Sequence, residues 1–220
     1  MSLKLYYHPL ASFCWKVLIG LYENQTSFEP IIVDLMDEAS RAAFLKIWPV
    51  GKFPVLRDDA RGRTIPESTI IIEYLARHYP GPVQLLPSDP EMALEARLQD
   101  RFYDRYVHEP MQKVVTDRLR PPGKNDPHGV ELALGEIASS YNFIEEDMAS
   151  KRWALGDDFS LADCAAFPAL FYANKVAPLG KVHPRTAAYL ERLLARASVA
   201  RVVAEAQPYF GLFPIKDEES

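Results

Sequence analysis

The chain has 220 residues, enough for one large domain or two modest ones, and two are expected because domains cluster around ~100 to 150 residues. Hydrophobic residues make up 48% and charged residues 25%, a composition that excludes a disordered chain and predicts a packed core. The formal net charge of −5 argues against nucleic acid as a partner, because such binding needs a clustered excess of Lys and Arg.

The N-terminal residues, MSLKLYYHPL, lack the basic and apolar segments and the cleavage site of a signal peptide. No apolar run approaches the ~18 residues that indicate a membrane span. We therefore expect a soluble, cytoplasmic protein without a membrane partner. The two cysteines, Cys14 and Cys164, lie far apart, which argues against a disulfide scaffold, a structural zinc site and a two-thiol redox motif.

Residues 3–79 alternate between strand and helix patterns. We predict strands at 3–7, 28–33, 53–58 and 64–67, with helices from Phe13 to about Tyr22, at 38–45 and at 68–79. Pro30 cannot donate to a ladder, so the second strand should lie at a sheet edge. The polar stretch LRDDARGRTI predicts an antiparallel hairpin between the last two strands. The expected unit is α/β, with a mixed sheet of about four strands.

A proline-rich stretch, YPGPVQLLPSDP, then interrupts regular structure and predicts a linker between two domains. We place the α/β domain at 1–80, the linker at 81–90 and a second domain at 91–220. Apolar residues in the second domain recur at helical spacing, which predicts an all-helical unit of about five or six helices. The closing KDEES is expected to be a frayed, solvated terminus.

The first candidate site is HPLASFCWKVL, where a strand passes through a turn into a helix. Ser12 has the residue type of a helix N-cap, whose side-chain oxygen accepts a bond from a first-turn amide, and this interpretation needs no chemistry. Alternatively, the hydroxyl of Ser12 or the thiol of Cys14 is a reactive group at the mouth of the helix. These residues alone leave both interpretations open.

The second candidate site combines GKFPVL with PESTIIIEYL. Pro54 at the start of a strand is either an ordinary trans proline or a cis proline that turns the backbone of Phe53 outward, toward an extended peptide ligand. Ser68 begins a long apolar helix as its predicted N-cap, and such a terminus suits a carboxylate. Glu67 beside it is either a solvated acid or the partner of an amine. Glu67 and Ser68 together would match the amino and carboxylate groups of an amino acid.

Together these segments resemble the cytosolic glutathione transferases, in particular the bacterial serine or cysteine types. The resemblance spans nearly the whole chain. Its most specific parts are the GKFPVL segment, which has the pattern G-x-x-P-x-L, and the Glu67–Ser68 pair. A further match is FSLADCAAF, in which Ser160 and Asp163 form a capping box that is structural rather than catalytic. The resemblance implies a thioredoxin-like domain followed by a helical bundle, and a homodimer.

The resemblance also implies a glutathione site and no metal. Pro54 is expected to be cis, the backbone of Phe53 to pair with the cysteinyl unit, and Glu67 with Ser68 to hold the γ-glutamyl end. Lys52 is expected to meet the glycyl carboxylate. Ala11 takes the position at which many members carry their catalytic serine or cysteine, and Ser12 follows one residue later.

The resemblance predicts a detoxifying transferase that joins the glutathione thiolate to a small hydrophobic electrophile. Ser12 is the predicted thiolate donor, through its hydroxyl or its amide, and Tyr103 and Tyr106 are candidates to line the electrophile pocket or to be ordinary core. One alternative is a thiol transferase that uses Cys14. Another is a non-catalytic module that binds a partner protein. The spacing of Arg97, Arg101 and Arg105 indicates either dimer contacts or a solvated helix face.

Overall fold

The computed structural model describes residues 2–214, and the predicted frayed terminus at 216–220 lies outside that range. The first half alternates strand and helix as expected. Its elements are β1 Leu3–Tyr7, α1 Ser12–Glu23, β2 Glu29–Ile32, α2 Glu38–Ile47, β3 Val55–Asp58, β4 Arg63–Pro66 and α3 Ser68–His78.

The four strands form one mixed sheet in the order β2-β1-β3-β4. β1 runs parallel to β2 and antiparallel to β3, and β3 pairs with β4 as an antiparallel hairpin. Pro30 pairs with Leu5 in the edge strand β2, where a missing N–H donor is tolerated. The predicted α/β unit, its edge strand and its hairpin are therefore confirmed.

The second half is helical throughout. Its elements within the described residues are α4 Pro90–Phe102, a π-helical segment Tyr103–His108, α5 Glu109–Arg118, α6 Pro127–Asp147, α7 Leu161–Val176, α8 Pro184–Leu194, α9 Ala197–Ala206 and a 3₁₀ turn Gln207–Leu212. The π segment joins α4 to α5 without a loop. Residues 79–89 connect α3 to α4. None of the helices between residues 2 and 214 is long and apolar enough to cross a membrane.

The predicted capping box is present at the start of α7. Asp163 accepts the backbone N–H of Ser160 at 2.8 Å, and it also accepts the N–H of Ala154 at 2.9 Å and the hydroxyl of Tyr189 at 2.6 Å. Asp163 is completely buried, so these donors replace the water that the carboxylate loses. The box therefore joins the start of α7 to the preceding loop and to α8.

The larger of the two hydrophobic clusters in the described chain extends from the sheet domain into the helical domain. α1 packs against α3 on one side and against α7 on the other. Trp15 of α1 is fully buried, and its ring stacks on Phe167 of α7 with centroids 5.7 Å apart. Burying one large aromatic side chain stabilises a fold by roughly 1.5 to 3 kcal/mol. This packing fixes the N-terminus of α1 against the helical domain.

Candidate active site

The loop between β1 and α1, residues 8–11, is held by hydrogen bonds from both domains. The indole N–H of Trp15 donates to the carbonyl of Pro9 at 2.5 Å. The hydroxyl of Tyr172, on α7, donates to the carbonyl of Leu10 at 2.8 Å. Bonds to main-chain carbonyls restrict the loop backbone directly. The start of α1 is therefore anchored to the helical domain.

Ser12 is the first residue of α1, and the prediction that it caps the helix is wrong. Ala11 occupies the cap position and makes no side-chain bond. The Ser12 hydroxyl is instead hydrogen-bonded to Nε2 of His108, at the end of the π segment. Within the described chain, the amides of Ser12 and Phe13 find no backbone acceptor, as is usual in a first helical turn. The hydroxyl and these two amides therefore lie together at one helix end.

His108 is a site residue that the sequence did not reveal. Its side chain is 4% exposed, and the ring of Phe13 packs against it with centroids 4.3 Å apart. Burial, aided by the nearby positive charge of Lys16, lowers the pKa of His108 to about 4. The imidazole is therefore neutral at physiological pH, and it lies 96 residues from Ser12 in sequence.

Cys14 points into the core rather than toward the cleft. Its side chain has no exposed surface, and burial raises the pKa of its thiol. A thiol is an effective nucleophile only as an accessible thiolate, so this environment contradicts a role for Cys14 in thiol transfer. Cys164 is also fully buried, in α7.

A polar cavity of about 330 Å³ lies beside the N-terminus of α1. It brings together all of the predicted glutathione-site residues except the α1 residue Ser12. Its lining consists of Phe13, Trp48, Val50, Lys52, Phe53, Pro54, Pro66, Glu67, Ser68, Arg101, Asp104, Arg105 and Glu109. The Phe53–Pro54 peptide bond is cis, as the resemblance implies.

The Glu67–Ser68 pair stands where β4 turns into α3. Ser68 is the first residue of the helix rather than its cap, which corrects the sequence prediction, and Glu67 takes the cap position with a backbone φ of 70°. A non-glycine residue held in this region costs roughly 1 to 3 kcal/mol and is typical of ligand sites. The Glu67 side chain makes no capping bond and is exposed, while Ser68 is buried in the cavity wall.

The helical domain supplies charged residues to the same cavity, and the sequence did not predict this. Arg101, Asp104, Arg105 and Glu109 come from the end of α4, the π segment and the start of α5. Arg101 donates to Asp104 at 2.6 Å, and Arg105 is hydrogen-bonded to Glu109. Arg97, in contrast, pairs with Glu73 of α3 at 2.8 and 2.9 Å. Each of the three arginines therefore pairs with a carboxylate of the same chain, and their side chains are 43–62% exposed, which agrees with the solvated-face alternative.

A buried ion-pair cluster lies directly behind this cavity. Lys16 of α1 is fully buried, and its Nζ lies 2.5 Å from Oδ1 of Asp100 and 2.9 Å from Oδ2 of Asp104. The same ammonium donates to the hydroxyl of Thr69 at 2.9 Å. Burial raises the pKa of Asp104, and the charge of Lys16 opposes that rise. The cluster joins the N-terminal parts of α1 and α3 to α4 and the π segment.

An apolar cavity of about 450 Å³ adjoins the polar one, and the two share Phe13, Lys52 and Phe53. Its remaining lining consists of Leu10, Ala11, Ser12, His108, Met111, Gln112, Val115, Tyr172, Leu212, Phe213 and Pro214. Tyr103 and Tyr106 do not line it, because Tyr103 is buried core and Tyr106 is 60% exposed on the outer surface. Of the two alternatives for these tyrosines, lining of the pocket is wrong for both, and a place in the core is confirmed for Tyr103.

Two family models cover both halves of the chain. Residues 5–83 match the glutathione S-transferase N-terminal domain, and residues 126–192 match the glutathione S-transferase C-terminal domain. Glutathione S-transferase 3 of Zea mays is 31% identical over 211 residues, which cover 92% of this chain and 93% of that protein. The chain belongs to the glutathione S-transferase family.

Two further proteins resemble the chain, one in sequence and one in fold. The probable maleylacetoacetate isomerase of Caenorhabditis elegans is 30% identical over 173 residues, which cover 78% of each chain. A glutathione S-transferase from Methylobacillus flagellatus KT, solved with GSH bound, superposes with a TM-score of 0.83 at 25% identity. This superposition covers 91% of this chain and 98% of that one. The thioredoxin-like domain and the helical domain are thus those of the family.

Proposed function

We propose that this transferase joins the glutathione thiolate to a small hydrophobic electrophile at the N-terminus of α1. The observation that carries the proposal is the adjacency of two unlike cavities, one polar and one apolar, that share Phe13, Lys52 and Phe53. A reaction between a charged peptide and an apolar compound needs such a pair of sites. Ser12 lies in the wall of the apolar cavity near this junction.

The charges of the polar cavity complement the tripeptide. The α-carboxylate of the γ-glutamyl unit would accept from Ser68 and from the first amides of α3, where the helix dipole favours negative charge. Glu67 would hold the α-amine, and Lys52 would meet the glycyl carboxylate. The backbone of Phe53, before the cis Pro54, would pair with the cysteinyl unit.

Activation of the thiol requires stabilisation of its ionised form. Free glutathione has a thiol pKa of roughly 8.5, so only a few per cent is thiolate at neutral pH. A hydroxyl that donates to the sulfur, together with unpaired amides at a helix N-terminus, lowers that pKa. We assign the donor role to Ser12, with its amide and that of Phe13 as neighbouring donors.

In the reaction the thiol proton leaves to solvent and the sulfur forms a bond to the electrophilic carbon. In a substitution the leaving group departs with its bonding electrons, and in an addition the substrate takes a proton from water. The apolar cavity presents mainly hydrocarbon side chains, such as Leu10, Met111, Val115 and Phe213, to the electrophile. A hydrophobic compound gains free energy by entering it.

An isomerase of the maleylacetoacetate type is a second candidate because a relative named for that activity is 30% identical. Its substrate is a dicarboxylate, however, and Arg101 and Arg105 line the polar cavity rather than the apolar one. Lys52 is the one cation lining the described apolar cavity. This distribution of charge favours conjugation of an uncharged electrophile.

A homodimer is part of the proposal. Apolar side chains are exposed on the outer faces of α3 and α4, where Ile70 is 52%, Leu94 61% and Leu98 59% exposed. They lie next to the Arg97–Glu73 ion pair. An apolar patch rimmed by charged residues is typical of a protein–protein interface. Sedimentation analysis of the wild type and of Leu98→Arg tests this arrangement, with a dimer expected only for the wild type.

The decisive test of function is turnover of glutathione with a chlorodinitrobenzene, followed by absorbance of the conjugate. We expect saturable activity that falls roughly tenfold at neutral pH in Ser12→Ala, as a rise of about one unit in the bound-thiol pKa requires, while calorimetry still detects glutathione binding. Maleylacetoacetate serves as the competing substrate. Isomerisation without conjugation of the aryl halide would refute the proposal in favour of the isomerase.

A further inference from the structure

We propose that His108 is a positioning residue that donates its Nε2–H to the oxygen of Ser12 and thereby directs the serine's own proton toward the glutathione sulfur. The inference deepens the proposed function and rests on it for the identity of the thiol. The observation behind it is a hydrogen bond between Ser12 Oγ and His108 Nε2 that joins the two domains at the junction of the two cavities.

The direction of this hydrogen bond follows from the other ring nitrogen. Nδ1 of His108 is buried and finds no partner within residues 2–214. A neutral imidazole carries one proton, on either Nδ1 or Nε2. A proton on Nδ1 would leave an N–H group buried without an acceptor, which is rare in folded proteins, whereas a bare lone pair at that position is less costly. The Nε2–H tautomer is therefore favoured.

The protonated form of His108, the imidazolium, is disfavoured relative to the neutral ring. Imidazolium would add an unpaired Nδ1–H donor, and a charge, in a site that is 4% exposed. The titratable group whose charge reaches the ring is Lys16 of α1, and its positive charge disfavours imidazolium further. Burial together with that charge gives the pKa of about 4, so the ring stays neutral at the pH values at which a thiolate is useful.

The tautomer decides what Ser12 can do. A serine hydroxyl has one proton and two acceptor lone pairs. If Ser12 donated to His108, its proton would be occupied and the oxygen would present only lone pairs to the sulfur, which repel a thiolate. When Oγ accepts from Nε2 instead, its proton is free, and the described chain offers it no other side-chain bond. The Ser12 hydroxyl can then donate its proton to the glutathione thiolate.

The fold holds the imidazole in this orientation. His108 is the last residue of the π segment and directly precedes α5, and its ring packs on Phe13, the neighbour of Ser12 in α1. π-helical insertions rotate the following side chains about the helix axis, and they are frequent at functional sites. Asp104 enters the Lys16 cluster and His108 reaches Ser12 from the same segment.

The test uses four variants and the ultraviolet absorbance of enzyme-bound glutathione thiolate against pH. Ser12→Ala should raise the apparent thiol pKa by about one unit, a tenfold change in ionisation. His108→Asn removes the donor at the Nε2 position and should raise the pKa in the same direction, while His108→Gln places an amide N–H there and should stay near the wild type. The double variant Ser12→Ala/His108→Asn should match Ser12→Ala, because His108 acts only through Ser12.

Three results would overturn the inference. The first is additive pKa shifts in the double variant, and the second is a wild-type thiol pKa in His108→Asn. The third is a nitrogen-15 NMR spectrum of the wild-type protein that puts the histidine proton on Nδ1, a measurement that needs neither variant nor glutathione. Calorimetry separates the two proposals, since failure of the wild type to bind glutathione refutes the proposed function, whereas the NMR tautomer tests the His108 inference directly.

Discussion

Replacing Lys16 with Met removes one charge from the cluster behind the glutathione cavity and keeps nearly the same side-chain length. Lys16 has no exposed surface, and its ammonium lies within 2.9 Å of Asp100 and Asp104. The variant leaves two buried carboxylates without this partner. Breaking a buried ion pair by removing one member costs about 3 to 5 kcal/mol, because the remaining charge stays desolvated.

The structure favours the lower end of that range. Arg101 donates to Asp100 at 2.9 Å and to Asp104 at 2.6 Å, so it retains part of the neutralisation, although its side chain is 52% exposed. We therefore expect a loss of about 3 kcal/mol in the free energy of unfolding at neutral pH. The double variant Lys16→Met/Asp100→Asn should recover part of the loss, because it also removes one of the two carboxylate charges.

The loss should depend on pH with a definite sign. Burial already raises the pKa of Asp104, and the opposing charge of Lys16 is absent in the variant, so this pKa rises further. A carboxyl group whose pKa is raised in the folded state binds its proton more tightly there than in the unfolded chain. Its stabilising contribution is present at acid pH and is lost as the pH rises through the folded-state pKa. The variant should therefore be closest to the wild type near pH ~5.

Urea denaturation followed by circular dichroism at pH ~5 and pH ~8 measures these differences. Lys181→Met is the matched control, because Lys181 is exposed and its loss should change stability by less than ~0.5 kcal/mol. The reasoning is refuted if Lys16→Met is no less stable than Lys181→Met. It is also refuted if the loss is the same at both pH values, since a purely steric defect would not titrate.

The remaining predictions concern the glutathione cavity, the capping box and the buried thiol. Ser68→Ala and Glu67→Gln should each raise the Kd for glutathione roughly tenfold through loss of a charge-assisted hydrogen bond, and unchanged calorimetric affinity in both would contradict the site. Asp163→Ala should lower stability by at least ~2 kcal/mol, because four donors lose their acceptor, with glutathione affinity retained in the folded protein. Cys14→Ala should leave the conjugation rate and the bound-thiol pKa unchanged. A lower rate or a shifted pKa would indicate that the Cys14 thiol takes part in the reaction.

Local sequence rules predicted the fold well where the chemistry of a single residue restricts the backbone around it. Pro30 marks the edge strand because it lacks a donor, and the FSLAD stretch marks the start of α7 through Ser160 and Asp163. The cis Pro54 came from the resemblance, since a cis bond cannot be inferred from proline alone. These features depend on short-range chemistry, which a single sequence displays directly.

The same rules failed where the chain departs from the usual helix start. Ser12 and Ser68 have the residue type of N-caps, but Ala11 and Glu67 take the cap positions, and both serines become first helical residues. Their hydroxyls are then not committed to a cap. A propensity for capping describes what is common, and a binding site can use the same residue differently at a cost in local stability.

The charged residues of the site could not be assigned because their contacts cross the domain boundary. The sequence did contain signs of buried charge. Asp100 and Asp104 lie one helical turn apart in a segment that also carries buried apolar residues, and Lys16 lies within the apolar pattern of α1. Nothing in a single sequence pairs them. His108 escaped for a further reason, since the π segment changes the helical register and with it the face on which the imidazole lies.

The contacts that join the two domains also determine the geometry of the proposed thiol site. Ser12 belongs to the first domain and His108 to the second, and two interdomain contacts bracket their hydrogen bond. Tyr172 donates to the carbonyl of Leu10, two residues before Ser12. Lys16, one helical turn after Ser12, binds Asp104, one helical turn before His108. A small shift between the domains would lengthen the Ser12–His108 bond first, because neither side chain has another hydrogen bond to a side chain in the described chain. Lys16→Met should therefore raise the bound-thiol pKa as well as lower stability, whereas Lys181→Met should do neither.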